Sequence, residues 1–356
     1  MMNIKKLSWI LVVVLGILVL YSAYTSLTLG HSVSVQKAAE EEATRAAKID
    51  IITITDSSCT DCYAIENVVT KLKAENVDVV QESTLDVHDA QAQTLLSTYA
   101  IQKIPTLIVT GEIDRNSSGI TGLEKKDDAL IFRDVAPVYY DVATGTYKGR
   151  VQFRTILNSA CTDCYDISKF TKALKTAVSV SSETSEDMKD ASADIAAYKI
   201  KELPALIITG DLSLYPKVEA SLAQLGTKVG DALVLTANST PPYWDIASSS
   251  TKGLVDVTYI TDVSCATCYN VKVHKTVLEN YGVAVKNETT VDVSSSEGKS
   301  LLAKYNISAV PTIVASSDLK YYASLVKLWP QVGVVASDGS YVFTHVELVS
   351  ANYTKL

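Results

Sequence analysis

The chain has 356 residues, 20% of them charged, and a formal charge of −8. Phosphate binding depends on clustered Lys and Arg, and no long basic run occurs, so nucleic acid is excluded as a partner. All six cysteines lie in three Cys-x-x-Cys pairs, which leaves none to staple distant parts of a fold; a ring closed over so few residues stabilises a fold little.

From the N-terminus, residues 7–29 carry no charge and follow Lys5 and Lys6. A helix over this stretch is long enough to span a hydrocarbon core, and the positive-inside tendency places everything after it outside the cytoplasm. Trp9, Tyr21 and Tyr24 suit the two interfaces. A cleaved signal peptide is the alternative; the anchor is preferred because the apolar stretch is long and no clean small-x-small site follows it. Either reading exports the rest of the chain to where disulfides persist. Residues 36–48 are rich in helix formers and charge with no apolar face, which predicts a solvated helical stalk. Sequons at Asn116, Asn238, Asn287, Asn306 and Asn352 fit an exported surface.

Three copies of one unit follow. Cys59-Thr60-Asp61-Cys62-Tyr63, Cys161-Thr162-Asp163-Cys164-Tyr165 and Cys265-Ala266-Thr267-Cys268-Tyr269 are each followed by a second signature: Ile104-Pro105-Thr106, Leu203-Pro204-Ala205 and Val310-Pro311-Thr312. The first cysteines are 161−59 = 102 and 265−161 = 104 positions apart, and the Cys-to-Pro distances are 46, 43 and 46. Two features holding register over three copies mark an internal repeat. The predicted organisation is a cytoplasmic start and transmembrane helix (1–30), a stalk (31–48) and three domains (49–147, 148–251 and 252–356).

Within the first copy, the β-branched run 51–55 predicts a strand leading into Cys59. Apolar Ile65, Val68, Val69 and Leu72 predict a helix over 62–75. A strand at 77–80, a helix at 90–99 and a strand at 106–109 complete it. The second copy repeats the pattern at 151–157, 165–177 and 206–208, with a further helix at 215–225 and strand at 232–235. The third repeats it at 255–260, 269–280 and 312–314. The order β-α-β-α-Pro-β predicts small α/β sandwiches with mixed sheets. At the junctions Pro137-Val138-Tyr139-Tyr140-Asp141 matches Pro241-Pro242-Tyr243-Trp244-Asp245, and Lys148-Gly149 matches Lys252-Gly253. No counterpart is recognised near residue 356, so these pieces read as packed linkers between modules.

Cys-x-x-Cys where a strand gives way to a helix, with a downstream proline opening a strand, resembles the thioredoxin-like superfamily over all three modules. The resemblance implies tandem thioredoxin-like folds and cis bonds at Pro105, Pro204 and Pro311. It also implies a substrate surface shaped by Ile104, Pro105, Leu203, Pro204, Val310 and Pro311. The dipeptides Thr-Asp, Thr-Asp and Ala-Thr differ from the Gly-Pro and Pro-His familiar in that family, and no Trp precedes the first cysteine.

A cysteine at a helix N-terminus has a lowered pKa. Cys59, Cys161 and Cys265 are therefore the expected nucleophiles, and Cys62, Cys164 and Cys268 the resolving partners. Asp61 and Asp163 disfavour a neighbouring thiolate, which predicts two sites less oxidising than the third, where Thr267 stands instead. Asp56, Asn158 and Asp262, three residues before each nucleophile, read as turn-capping residues with proton relay as the alternative. The motif tyrosines read as packing. One Cys pair per module is half of a tetrahedral zinc site, and His31, His88, His274 and His345 do not recur in register, so no metal is expected. Tyr in place of His after each pair excludes covalent haem, and no other cofactor is needed. The combined reading is a membrane-anchored, extracytoplasmic thiol-disulfide oxidoreductase acting on exported cysteine-containing proteins, with a redox partner that a membrane could hold. The rival is a surface-anchored scaffold whose modules keep their disulfides without turnover.

Overall fold

The structure, a computed structural model, describes residues 4–115, 122–236 and 240–356, with side chains for all of these except 4–11, 26–35 and 38–39. Asn116 and Asn238 lie outside the described residues. The chain divides into two compact units, Met1–Thr146 and Tyr147–Leu356.

The first unit opens with α1 (Ile4–Thr44), a single helix of 41 residues. Among the described residues no helix is long and apolar enough to cross a membrane; the side chains of the expected span lie outside them at 7–11 and 26–29. The predicted stalk ends earlier than residue 48. Ala47 and Lys48 open β1 (Ala47–Thr55), and Ala47 is fully buried. An ion-pair cluster ties the end of the helix to the sheet. Arg45 Nη2 lies 2.6 Å from Glu112, Arg115 Nη2 lies 2.6 Å from Glu42, and the Lys48 N–H donates to Glu112. Arg45 holds the Glu112 carboxyl down at about 2.

After β1 come α2 (Glu66–Lys73), β2 (Val77–Asp86), α3 (Ala90–Thr98), β3 (Lys103–Ile104), β4 (Thr106–Gly111), β5 (Glu124–Lys126), β6 (Ala129–Ile131), β7 (Tyr139–Asp141) and β8 (Thr146–Lys148). The main sheet has the order β2-β1-β4-β6-β5. β1 and β2 are parallel, which requires the crossover through α2; β4 and β6 are antiparallel to their neighbours. β2 is one edge strand, and its exposed Asp78, Gln81, Glu82 and Thr84 discourage further pairing. Gly111 ends β4 at φ +104°, where a Cβ would lie 2.6 Å from the Lys48 carbonyl oxygen.

The second unit carries the same arrangement twice. β9 (Arg150–Leu157), α4 (Ser168–Leu174), β10 (Ser179–Asp187), α5 (Ser192–Ala197), β11 (Glu202–Leu203), β12 (Ala205–Gly210), α6 (Pro216–Leu222), β13 (Gly226–Val229), β14 (Ala232–Thr236), β15 (Tyr243–Asp245) and β16 (Ser250–Lys252) come first. Their sheet has the order β10-β9-β12-β14-β13. β17 (Leu254–Thr261), α7 (Val273–Asn280), β18 (Ala284–Asp292), α8 (Ser296–Tyr305), β19 (Ala309–Val310), β20 (Thr312–Ala315), α9 (Ala323–Leu328), β21 (Gly333–Val335), β22 (Tyr341–Phe343) and β23 (Thr354–Lys355) build β18-β17-β20-β22-β21.

Both faces of these sheets are buried, so the central strands read as continuous apolar runs. In β12, Leu206 and Ile208 pack with Phe153, Leu233 and Leu235 on one face, while Ala205 and Ile207 pack with Ile156, Ala232 and Val234 on the other. This is the mixed α/β architecture expected from the strand and helix order.

Candidate functional site

Antiparallel pairing brings each cysteine motif and its distant proline to one end of a sheet. Ile54 pairs with Thr106, Ile156 with Ala205 and Ile260 with Thr312. The motif leaves at the end of the first strand of each pair, and the proline enters immediately before the second. A separation of more than forty residues in sequence thus becomes adjacency.

The chain turns sharply before each first cysteine. Asp56 Oδ1 accepts from the Ser58 N–H (2.8 Å), Asn158 Oδ1 from the Ala160 N–H (3.0 Å) and Asp262 Oδ1 from the Ser264 N–H (2.9 Å). The N–H groups of Cys59, Cys161 and Cys265 then donate to the backbone carbonyls of the same three residues at 3.0–3.1 Å. These side chains act as turn caps. The Ser264 hydroxyl and N–H and the Thr354 hydroxyl hold the Asp262 carboxyl below its ordinary range.

Cys59–Cys62, Cys161–Cys164 and Cys265–Cys268 are closed as disulfides with Cα separations of 5.5, 5.4 and 5.4 Å, and all six cysteines are half-buried. They do not sit at helix N-termini. The helices start at Glu66, Ser168 and Val273, seven or eight residues beyond the first cysteines, whereas the sequence predicted them to begin at or beside the motif. The reason lies in where the intervening N–H groups go. Those of Tyr63, Tyr165 and Tyr269 leave the chain direction altogether and donate to Val138 O (2.8 Å), Pro242 O (2.7 Å) and Asn352 O (3.2 Å). In the later copies Asp166 and Asn270 also take the N–H two residues on, a local turn that competes with helix. The helix dipole is therefore not placed to lower the pKa of the first cysteine.

The Ile104-Pro105, Leu203-Pro204 and Val310-Pro311 bonds are cis, as the resemblance implies. All six of these residues are buried. Thr106 Oγ1 donates to Phe132 O at 2.8 Å, and Thr312 Oγ1 donates to Phe343 O, each tying the strand after the proline to its neighbour. Ala205 lacks that hydroxyl.

The motif tyrosines pack against this assembly in three ways. Tyr63 stacks on Phe132 with centroids 5.7 Å apart. Tyr165 lines a small apolar pocket with Ile167, Phe170, Pro204 and Leu235. Tyr269 donates from its hydroxyl to Pro311 O (2.5 Å) and lies 3.1 Å from His274 Nε2, which joins the motif, the proline and α7. His274 is buried, and burial pushes its pKa down to about 4.

The linker reading of the junctions is incomplete. Each junction strand pairs back onto the residue before the proline of its own copy, Ile104 with Tyr140 and Leu203 with Trp244. A third segment does the same, Val310 with Thr354, at the place where no counterpart was expected. A further bond recurs in register: Val142 N–H to Gln102 O, Ile246 N–H to Lys201 O and Leu356 N–H to Ser308 O, all 2.9 Å. The residues concerned escaped recognition because backbone groups make the pairing. The signal present is a tyrosine three residues before an aliphatic one: Tyr139 and Val142, Tyr243 and Ile246, Tyr353 and Leu356. We call these three back-pairing segments straps; a hydroxyl reaches a sulfur from the third strap, where Thr354 Oγ1 lies 3.6 Å from Cys268 Sγ, and in the second copy from β16 beside the strap, where Thr251 Oγ1 lies 3.4 Å from Cys161 Sγ.

No family model and no curated protein matches the chain. Among solved structures it is similar to form II of ERdj5, with 11% identity over 80% of this chain and 42% of that one, at a TM-score of 0.15. It thus spans less than half the length of that protein. Human ERp44 shows 10% identity over 89% of this chain and 97% of that one, at a TM-score of 0.14. A protein disulfide oxidoreductase from Aeropyrum pernix K1 shows 15% identity over 47% and 77%, at 0.15. Scores this low decide nothing about the chain, whose fold is read from its own strands.

The chemistry available is that of the sulfurs. An Asp61 carboxylate oxygen lies 3.7 Å from Cys59 Sγ, close enough to oppose a thiolate there. Among the described residues no three His, Cys, Asp or Glu side chains gather as a metal site.

Proposed function

We propose that the chain is a membrane-anchored, extracytoplasmic thiol-disulfide oxidoreductase. In this reading three thioredoxin-like modules, 49–147, 148–251 and 252–356, follow a transmembrane helix whose N-terminus is cytoplasmic. Its substrates are exported cysteine-containing proteins, and a second redox partner, in or at the membrane, resets the sites. The observation that carries the reading is threefold: a Cys-x-x-Cys disulfide closes a half-buried turn at the same sheet end as a buried proline. The strand order and directions, repeated in all three sheets, support the thioredoxin-like assignment.

In the oxidised state a substrate thiolate attacks one sulfur, the internal S–S bond breaks, and the other cysteine leaves as a thiolate that takes up a proton. A second substrate thiolate then attacks the mixed disulfide, so the substrate is oxidised by two electrons and the pair becomes a dithiol. The first cysteine as attacking group and the second as resolving group remain part of the proposal. Cys62→Ser, Cys164→Ser and Cys268→Ser should each accumulate a mixed disulfide through Cys59, Cys161 or Cys265.

A redox titration of the full chain with mass-resolved thiol labelling tests the function. Three reversible two-electron midpoints are expected, the third the most oxidising; a shift of ~30 mV corresponds to about tenfold in equilibrium constant. If no pair titrates reversibly, the function is wrong. The covered proline edges favour the second reading, a non-catalytic scaffold, in which the joint replacement of Cys59, Cys161 and Cys265 by Ser leaves binding intact.

A further inference from the structure

The three straps make the same backbone contacts but are not equally fixed. Val138 and Tyr139 of the first are buried, as are Pro242 and Tyr243 of the second. In the third, Asn352, Lys355 and Leu356 are exposed, and Tyr353 and Thr354 are only half-buried. Its bond to the motif tyrosine is also the longest of the three, 3.2 Å against 2.8 and 2.7 Å. What holds it is a short set of polar contacts, Tyr269 N–H to Asn352 O, the Val310 pairing, Leu356 N–H to Ser308 O and the Thr354 hydroxyl donating to Asp262 Oδ2 at 2.8 Å, together with one half-buried apolar anchor, Tyr353, packed against the core of the third copy.

We propose that residues 352–356 are a displaceable self-ligand of the Cys265–Cys268 site. The strap lies against Ala309–Val310 and Tyr269 in the resting chain, and an extended, cysteine-bearing segment of a client polypeptide binds by taking its place. Recognition runs through backbone hydrogen bonds, as in strand addition to a sheet edge. Such a site tolerates many client sequences. The buried anchors of the other two straps hold the first and second proline edges more firmly, so the third edge is the one a client displaces most readily. This rests on the oxidoreductase reading above.

The test uses the full-length chain and its Thr354→Val and Leu356→Pro variants, which remove the hydroxyl and N–H donors of the strap. A synthetic extended peptide with one cysteine serves as the client, and reduction of each pair is followed by mass-resolved alkylation. Each variant should speed reduction at Cys265–Cys268 by about tenfold, the scale of one net hydrogen bond lost from the docked strap. The other two pairs should react as in the parent. An unchanged rate at the third pair in both variants overturns the proposal, while the oxidoreductase reading stands if the pairs still titrate. If no pair exchanges in any form, the oxidoreductase reading fails and amide hydrogen exchange decides the strap. The Tyr269 and Leu356 amides should then exchange together and faster than those of Tyr63 and Val142; equal protection overturns it.

Discussion

His274 stands six residues after its second cysteine, where the other copies carry Val68 and Phe170. Its ring packs on Phe343, with centroids 4.5 Å apart, and meets the Tyr269 hydroxyl. Because that hydroxyl donates to Pro311 O, it accepts from the imidazole, which requires a proton on Nε2 of the neutral ring. Burial lowers the folded pKa from the ordinary 6.5 to about 4. Between those values the unfolded chain holds a proton that the folded chain lacks, so stability is full above the ordinary value and is lost as pH falls through the window. The loss from this group alone is on the order of 2 to 3 kcal/mol. Urea unfolding at pH 7 and pH 4.5 should show His274→Val losing less stability on acidification than the parent, by about that amount; equal losses would remove His274 from the account. The cysteines and prolines were legible because their spacing repeats. His274 was not, since its environment is made by β22 and the proline strand, far away in sequence.

At the scale of elements, β-branched runs announced the central strands, and their ends shifted by only a few residues. The helices after the motifs were misplaced for a physical reason: Ile65, Val68, Val69 and Leu72 have helical spacing, but the preceding tyrosine N–H belongs to a strap that periodicity cannot show. The end of β12 shows a tighter constraint. Gly210 has φ +91°, and a Cβ there would lie 2.5 Å from the Arg150 carbonyl oxygen, a backbone atom with little room to move. Gly210→Ala should therefore destabilise by roughly 1 to 3 kcal/mol, a combination of positive-φ strain and forced separation of β12 from β9. A denaturant midpoint lowered at constant slope is the expected signature, and an unchanged midpoint would mean that the strands part freely. The same pairing recurs at Gly111, where the Lys48 carbonyl takes the place of Arg150.

For the whole molecule, the repeat period near 100 residues foretold three like sheets, and they are present with one strand order. What it could not foretell is that each copy closes its proline edge with the segment that follows it, because backbone pairing leaves little trace in side chains. The proposed anchor is tested at this scale. After alkaline carbonate extraction the full chain should stay with the membrane, and a chain lacking residues 1–35 should be released; recovery of both in the supernatant would remove the anchor. The ion-pair cluster at the end of α1 bears on what such an anchor transmits. Only 47−44 = 3 residue steps separate the last helical residue from the first residue of β1, and Arg45, Glu112, Arg115 and Glu42 bind that interval to the far end of β4. A pull or twist on the helix is thus delivered to the central strands of the first sheet instead of being absorbed by slack chain, and the stiffness of that coupling falls as salt screens the four charges.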